Sequence, residues 1–497
     1  MAGLRTGIRR WPVSSEHPQA WREAAFLASA LAPTGVASTN EFREWFATRS
    51  TANHFDVQRV PISSLEGWRV ERGTGNIVHE SGRFFRIEGI EVATSFGPTP
   101  VWNQPIINQP EIGILGFLTK EIDGVLHFLV QAKMEPGNVN MIQVSPTVQA
   151  THSNFTQVHG GNRPPYLEYF LDPGRAQMMV DQLQSEQGSR FLKKRNRNMI
   201  VRVPSHEQVQ LEDDFFWLTL GQLSELLQTS NLVNMDTRTV LSSIRLAGAR
   251  DADLSLPLSA ADECFAEAVL ESVVADPDMS ASDFDTAVSW FTRMRVELRL
   301  ETRIVPLNSL DAWEYDGRTV HHRTGRYFKV IGVSVSASNR EVGSWQQPLI
   351  ESAKGGVIAF VCQRRNEILH FLVQARVEPG NFDGAEMAPT LQCTPSNHED
   401  REGTDLPPFY DLVMGASPAQ IRYDSLQSEE GGRFYHDQNR YLVVEIDERD
   451  EIELPANYLW MTIRQLKEFI RFNNYLNIEA RGLISCLPLA PFPAASS

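Results

Sequence analysis

Hydrophobic and polar positions along this chain follow two rhythms. The run Leu126-His-Phe-Leu-Val-Gln-Ala132 is apolar almost without a break and rich in aromatic and β-branched residues, which predicts a strand covered on both faces. Pro146-Thr-Val-Gln-Ala-Thr151 alternates polar with apolar, the period of a strand with one face buried. At Trp217-Leu-Thr-Leu-Gly-Gln-Leu223 the period changes. Thr219 and Gln222 there make a Thr-x-x-Gln capping box, which predicts a helix entering Ser224–Ser230. Further helices are expected at Gln19–Leu31 and Ala260–Val274.

These patterns are written twice. LHFLVQAKMEPGN at Leu126 returns as LHFLVQARVEPGN at Leu369, and VPISSLEGW at Val60 as VPLNSLDAW at Val305. SPTVQATHSN at Ser145 matches APTLQCTPSN at Ala388, DQLQSEQGSRF at Asp181 matches DSLQSEEGGRF at Asp424, and WLTLGQL at Trp217 matches WMTIRQL at Trp460. From Gly82 against Gly325 onward the offset holds at 243 residues. Solenoid units repeat every ~20–50 residues, so this is a duplicated whole domain. The expected organisation is an N-terminal helical extension over 1–39 without a counterpart, a first copy over 40–249, a helical linker over 250–282 and a second copy over 283–497. Strands mixed with a few helices predict an α/β (α+β) sandwich per copy.

Composition narrows the class. A chain of 497 residues, 42% hydrophobic and 22% charged, is globular and longer than one ordinary core. Its net charge of −16 argues against nucleic acid or an anionic membrane as partner. No apolar run approaches membrane-spanning length, and the four cysteines form no CxxC pair, which suits a reducing cytoplasm. There is no GxGxxG, P-loop, GxSxG or HExxH motif.

Candidate chemistry lies in the repeated polar rows. Gln131, Lys133 and Glu135 share one face of the first strand with His127, and Gln374, Arg376 and Glu378 repeat the row with His370. Polar groups at the end of a buried strand are costly unless paired or offered to a ligand. Two readings follow: an internal Lys–Glu or Arg–Glu pair that pins the turn, or a site lining. Asn138 and Asn381 close the Glu-Pro-Gly-Asn turns, whose glycines would allow a positive φ. Thr147, Gln149, Thr151, Ser153 and Asn154, with Thr390, Gln392, Thr394, Ser396 and Asn397, offer neutral donors and acceptors suited to sugar hydroxyls or a pyrimidine edge. Arg190, Arg197, Arg433 and Arg440 present planar forks that fit a diphosphate, with surface ion pairs as the bland alternative. Trp102 and Trp345 are candidates to stack on a base; Trp68, Trp313, Trp217 and Trp460 are expected in the core.

The tandem EPGN…PTxQxTxSN…QSExGxRF…NR arrangement, over roughly residues 40–490, resembles the nucleotide-diphosphate-hexose 2,3-dehydratases of deoxysugar biosynthesis. The resemblance implies two Nudix-like α/β/α sandwiches, a homodimer, and dTDP-4-keto-6-deoxy-D-glucose as substrate. It implies loss of the C2 hydroxyl and C3 proton without a redox cofactor or a metal, and a separate reductase acting on the 3,4-diketo product. The hydrolytic Nudix carboxylate set is incomplete in LQSEQGSRF and LQSEEGGRF, which disfavours the rival readings of a sugar-nucleotide hydrolase and leaves a non-catalytic binding protein as a third. Differences between the copies favour the first as the working one. It has Lys133, His152, His159 and Tyr166 where the second has Arg376, Pro395, Glu402 and Phe409. Lys133, Glu135, His152 and Tyr166 are therefore the expected catalytic residues, while His398, Glu430 and His436 are the second copy's own titratable candidates.

Overall fold

A computed structural model describes residues 18–151, 163–246, 261–338, 340, 342–398 and 406–489. The architecture is mixed α/β in two matching halves, each built on a seven-stranded sheet. In the first half the order is Gln177–Ser185, Arg195–Val203, Gly113–Ile122, Val125–Met134, Phe215–Thr219. Arg195–Val203 runs parallel to Gly113–Ile122 and the other pairs are antiparallel. The second half repeats this order with Gly356–Arg365 and Ile368–Val377 at its centre. Val125–Met134 is buried along nearly its whole length, as its unbroken apolar run predicts.

The alternating segment behaves differently from a single half-buried strand. Ile142–Pro146 pairs with Val125–Met134, whereas Val148–Ala150 pairs with Gly113–Ile122. Thr147 sits at the switch. Its hydroxyl donates to the Leu129 carbonyl and accepts the Leu118 amide at 2.9 Å. Thr390 does the same with Leu372 and Val361 at 2.5 and 2.8 Å. Threonine recurs here because a short hydroxyl satisfies the backbone groups left open where two central strands splay.

Both capping boxes are present, with Thr219 accepting from the Gln222 amide and Thr462 from the Gln465 amide. The N-terminal helix Pro18–Ala30 does have a counterpart, contrary to expectation: it is Ala261–Val274, in the stretch assigned to a linker. Ser29 donates to the Leu126 carbonyl at 2.5 Å and accepts the Leu220 amide; Ser272 does the same to Leu369 and Ile463. His127 and His370, in the polar row of the sequence, tie these segments down by accepting the Val36 and Ala281 amides. The drifted sequences hid an equivalence that the hydrogen bonds keep. Among the described residues no helix is long and apolar enough to cross a membrane.

The halves interpenetrate. Phe55–Val60 pairs with Phe328–Ala337 of the second half, and Leu300–Val305 returns to pair with Arg86–Thr94 of the first. Each Glu-Pro-Gly-Asn turn also docks on the Gln-Ser-Glu segment of the other half: Gly137 N–H donates to Gly431 O at 2.8 Å, and Gly380 N–H to Gly188 O at 2.7 Å. These turn glycines do not have the positive φ expected for them. They are needed for close approach, since a Cβ on Gly137 would collide with the Phe434 carbonyl, and one on Gly380 with that of Phe191.

Candidate active site

Each Glu-Pro-Gly-Asn turn opens into a cavity walled by both halves. The first, of about 600 Å³, lies at the end of Val125–Met134. Lys133 Nζ donates to the Gln149 carbonyl at 3.3 Å, and Gln149 Nε2 donates to Glu135 Oε1 at 2.9 Å. Ser145 Oγ and Asn234 Nδ2 donate to Gln149 Oε1 at 3.1 and 3.2 Å, fixing which end of the amide faces Glu135. Asn234 also caps the helix Met235–Ser242, whose first turn carries Asp236 to the cavity wall.

The far wall comes from the second half. Glu430, Gly432 and Arg433 of LQSEEGGRF enter beside Trp345 and Gln347. A Cβ placed on Gly432 would lie 3.2 Å from Glu430 Oε1 and 3.5 Å from Glu135 Oε1, so the two carboxyls flank one point. Arg433 lies 4.3 Å over the Phe85 ring and donates through Nε to Gln109 at 3.1 Å. Gln347 Nε2 donates to Gly432 O at 2.8 Å and accepts Trp345 Nε1–H at 2.9 Å, which holds the loop against the indole. Trp68 and Phe84 supply an aromatic wall.

Burial is the main electrostatic influence here. Burial first, then Glu430, Glu186 and Glu135, hold the Asp236 carboxyl well above its ordinary range against Lys133. Burial also pushes Glu430 up to about 7, helped by Glu186 and Glu135 and opposed by Arg433 and Lys194. Lys194 and Arg433 are shifted down by burial. The cavity thus gathers carboxyls pushed toward their protonated form by burial beside basic side chains.

The second cavity, about 850 Å³, repeats the plan with exchanged chemistry. Arg376 Nε donates to Glu378 Oε1 at 3.1 Å, as does Gln392 Nε2. Glu378 is therefore held at one oxygen by a guanidinium and an amide together. At the 243-residue offset, Lys194 becomes Asp437, Asp236 becomes Glu479, and Glu430 is matched by Gln187. Trp102 and Arg190 of the first half line this cavity, Arg190 at 4.2 Å over Phe328.

The expected site residues thus separate. Lys133, Glu135, Gln149, Thr151, Trp345 and Arg433 meet at the first cavity. Gln374, Arg376, Glu378, Gln392, Thr394 and Asn397 meet at the second with Trp102 and Arg190. Glu430, expected among the second copy's own candidates, instead lines the first cavity, and Arg190 of the first copy lines the second: each crosses to the other half. His398 does line the second cavity. His436 stacks on Tyr435. Thr147 and Thr390 spend their hydroxyls inside the sheets, as described above. Tyr166 is core: its hydroxyl donates to Gln210 O at 2.8 Å, and burial pushes it up to about 12. Arg197 and Arg440 form bidentate pairs with Asp181 and Asp424 on the sheet surface, at 2.6–2.8 Å. Asn138 and Asn381 donate to Met141 O and Gly384 O within their turns. Gln131 and Ser396 line neither cavity. His152, Ser153, Asn154, His159 and Glu402 lie outside the described residues.

Asp236 and Lys194 were missed by the sequence reading. The signal for Asp236 was available, because NLVNMDTR at Asn231 repeats as NYLNIEAR at Asn474.

Comparison with known proteins places this geometry. The family model described as NDP-hexose 2,3-dehydratase matches residues 39–244 and 285–487, one stretch per half. A dTDP-4-dehydro-6-deoxy-α-D-glucopyranose 2,3-dehydratase of Saccharopolyspora spinosa is 50% identical over 463 residues, covering 93% of this chain and 94% of the relative. Proteins of the same name from Amycolatopsis orientalis and Streptomyces violaceoruber are 45% and 44% identical, covering 91% and 93% of this chain and 90% and 99% of theirs. With two cavities of matching plan, a duplicated sheet and similarity along nearly its whole length, the chain belongs to the NDP-hexose 2,3-dehydratase family.

Proposed function

We propose that this enzyme removes water from dTDP-4-keto-6-deoxy-D-glucose, and that the first cavity is where it happens. The observation that carries the reading is the Lys133–Gln149–Glu135 array, which shares a cavity with Arg433. The C4 ketone acidifies the C3 proton. Glu135 takes that proton, and the Lys133 ammonium opposes the charge that develops on the C4 oxygen. Loss of the C2 oxygen as water leaves an enol that tautomerises to the 3,4-diketo-2,6-dideoxy sugar. Oxidation at C3 balances deoxygenation at C2, so the chemistry needs no hydride carrier.

Incubation with the 4-keto sugar nucleotide in excess EDTA, followed by mass analysis, is expected to show loss of one water at an undiminished rate. Activity lost in EDTA and restored by magnesium, with release of dTMP, would point to a Nudix-type hydrolase instead. The same reading makes each half a Nudix-like sandwich, supported by its mixed sheet and flanking helices. It makes the chain a cytoplasmic homodimer whose product passes to a separate reductase.

We assign the diphosphate to Arg433 in the first cavity and to Arg190 in the second, because each half-buried guanidinium stacks on an aromatic ring at the cavity wall. Arg433→Ala is expected to weaken dTDP binding at one of two sites per chain by about 10-fold or more, and Arg190→Ala at the other. Calorimetry resolving unchanged affinity at both sites in both variants would end this assignment.

A further inference from the structure

We propose that Glu430, delivered by the second half into the cavity of the first, is the acid that protonates the departing C2 hydroxyl. The proposal rests on the dehydratase reading above and names the acid which that reading leaves unassigned. Three observations carry it. Glu430 lines the first cavity, and its Oε1 shares with Glu135 Oε1 the space beside Gly432, so one sugar ring can meet both carboxyls. Its counterpart at the other cavity is Gln187, which has nearly the same shape but no acidic proton. By contrast Asp236 is matched by Glu479, so a carboxyl there does not distinguish the cavities. Finally, Glu430 is held where a substantial fraction stays protonated at neutral pH, by burial and by the nearby Glu186, Glu135 and Asp236 against Arg433 and Lys194.

The step balances. Glu135 breaks the C3–H bond, and the electron pair moves into the C3–C4 bond and onto the C4 oxygen. The enolate then collapses, the C2–O bond breaks, and the Glu430 proton joins the leaving oxygen as water. A C2–C3 double bond forms and C4 regains its ketone. Glu430 is left as a carboxylate and Glu135 as an acid, so one proton returned between them resets the pair. Two carboxyls on one ring, one taking a proton and one giving it, divide the work as paired catalytic carboxyls do.

The test is Glu430→Gln, which writes into the first cavity the residue its counterpart already carries. Water loss is expected to fall about 10²–10⁴-fold. Exchange of the C3 hydrogen with deuterated solvent should persist, because Glu135 is untouched. The 2-deoxy-2-fluoro analogue releases fluoride without needing a proton, so its turnover should stay within about tenfold of the unsubstituted enzyme. That turnover also shows the variant to be folded. If the variant does not fold, Glu430→Asp read with the same two substrates should show the same divergence, since it withdraws the proton from the leaving group. Near-normal water loss in the variant, or equal loss on hydroxyl and fluoro substrates, would overturn the proposal while leaving the dehydratase reading intact. An unsubstituted enzyme that neither loses water nor exchanges C3 would overturn both.

Discussion

Glu135→Gln is expected to lower the rate of water loss by about 10²–10⁴-fold, whereas Glu378→Gln leaves most of it. The two glutamates end equivalent strands and accept from equivalent amides, Gln149 at 2.9 Å and Gln392 at 3.1 Å. They differ in company. Glu378 is ion-paired to Arg376 at 3.1 Å, so the oxygen that would take a proton is already engaged by a guanidinium. Glu135 stands opposite Glu430, and Lys133 is turned to the Gln149 carbonyl. The substitution should also abolish C3 exchange in deuterated solvent, which separates a base from a group that merely shapes the cavity. Lys133→Ala and Arg376→Ala should follow the same asymmetry. Full activity in Glu135→Gln with loss in Glu378→Gln, both folded, would move the chemistry to the second cavity.

Gly137→Ala is expected to destabilise the fold by about 3 kcal/mol and to cut turnover as well. The added methyl meets the Phe434 carbonyl, which is backbone and has no rotamer to yield. Relief requires moving either the turn or the facing loop. The turn is fixed by Gly137 N–H to Gly431 O and by His436 N–H to Gly137 O, both at 2.8 Å. Any movement displaces Glu135, two residues away, and Arg433 together. Gly380→Ala should cost similar stability but much less turnover. Gly73, where an added methyl would meet nothing within 4 Å, supplies the control. Chemical denaturation that puts the midpoint of Gly137→Ala level with Gly73→Ala would show the contact to be soft.

Much of the fold was readable because its causes are local. The apolar run at Leu126–Ala132 and the two Thr-x-x-Gln boxes specify strand and helix starts through burial and capping alone. What could not be read was to which half a residue turns. A constant offset pairs Arg190 with Arg433 but carries no information on which cavity each enters. Trp102 and Arg190 cross over because the glycine turns press against the opposite loop, a long-range packing fact. Reading Thr147 with Gln149 as one ligand-facing row failed for a different reason: the chain changes partner strand between them. Tyr166 misled because a titratable group present in only one copy looks functional, yet its hydroxyl bonds to backbone in the core.

The crossing loops bear on how such a chain arose. Each cavity takes its floor from one half and its Gln-Ser-Glu wall from the other. One half alone would lack the facing loop, so an undivided precursor of this plan would complete its cavity by pairing with an identical chain, each lending a loop to its twin. In such a pair every change to the loop would alter both cavities at once. Joining the two genes head to tail broke this constraint: a glutamate gained or lost at position 430 leaves position 187 as it was. Division of labour between the cavities then required no new fold, only independent inheritance of two loops that had once been bound to be the same.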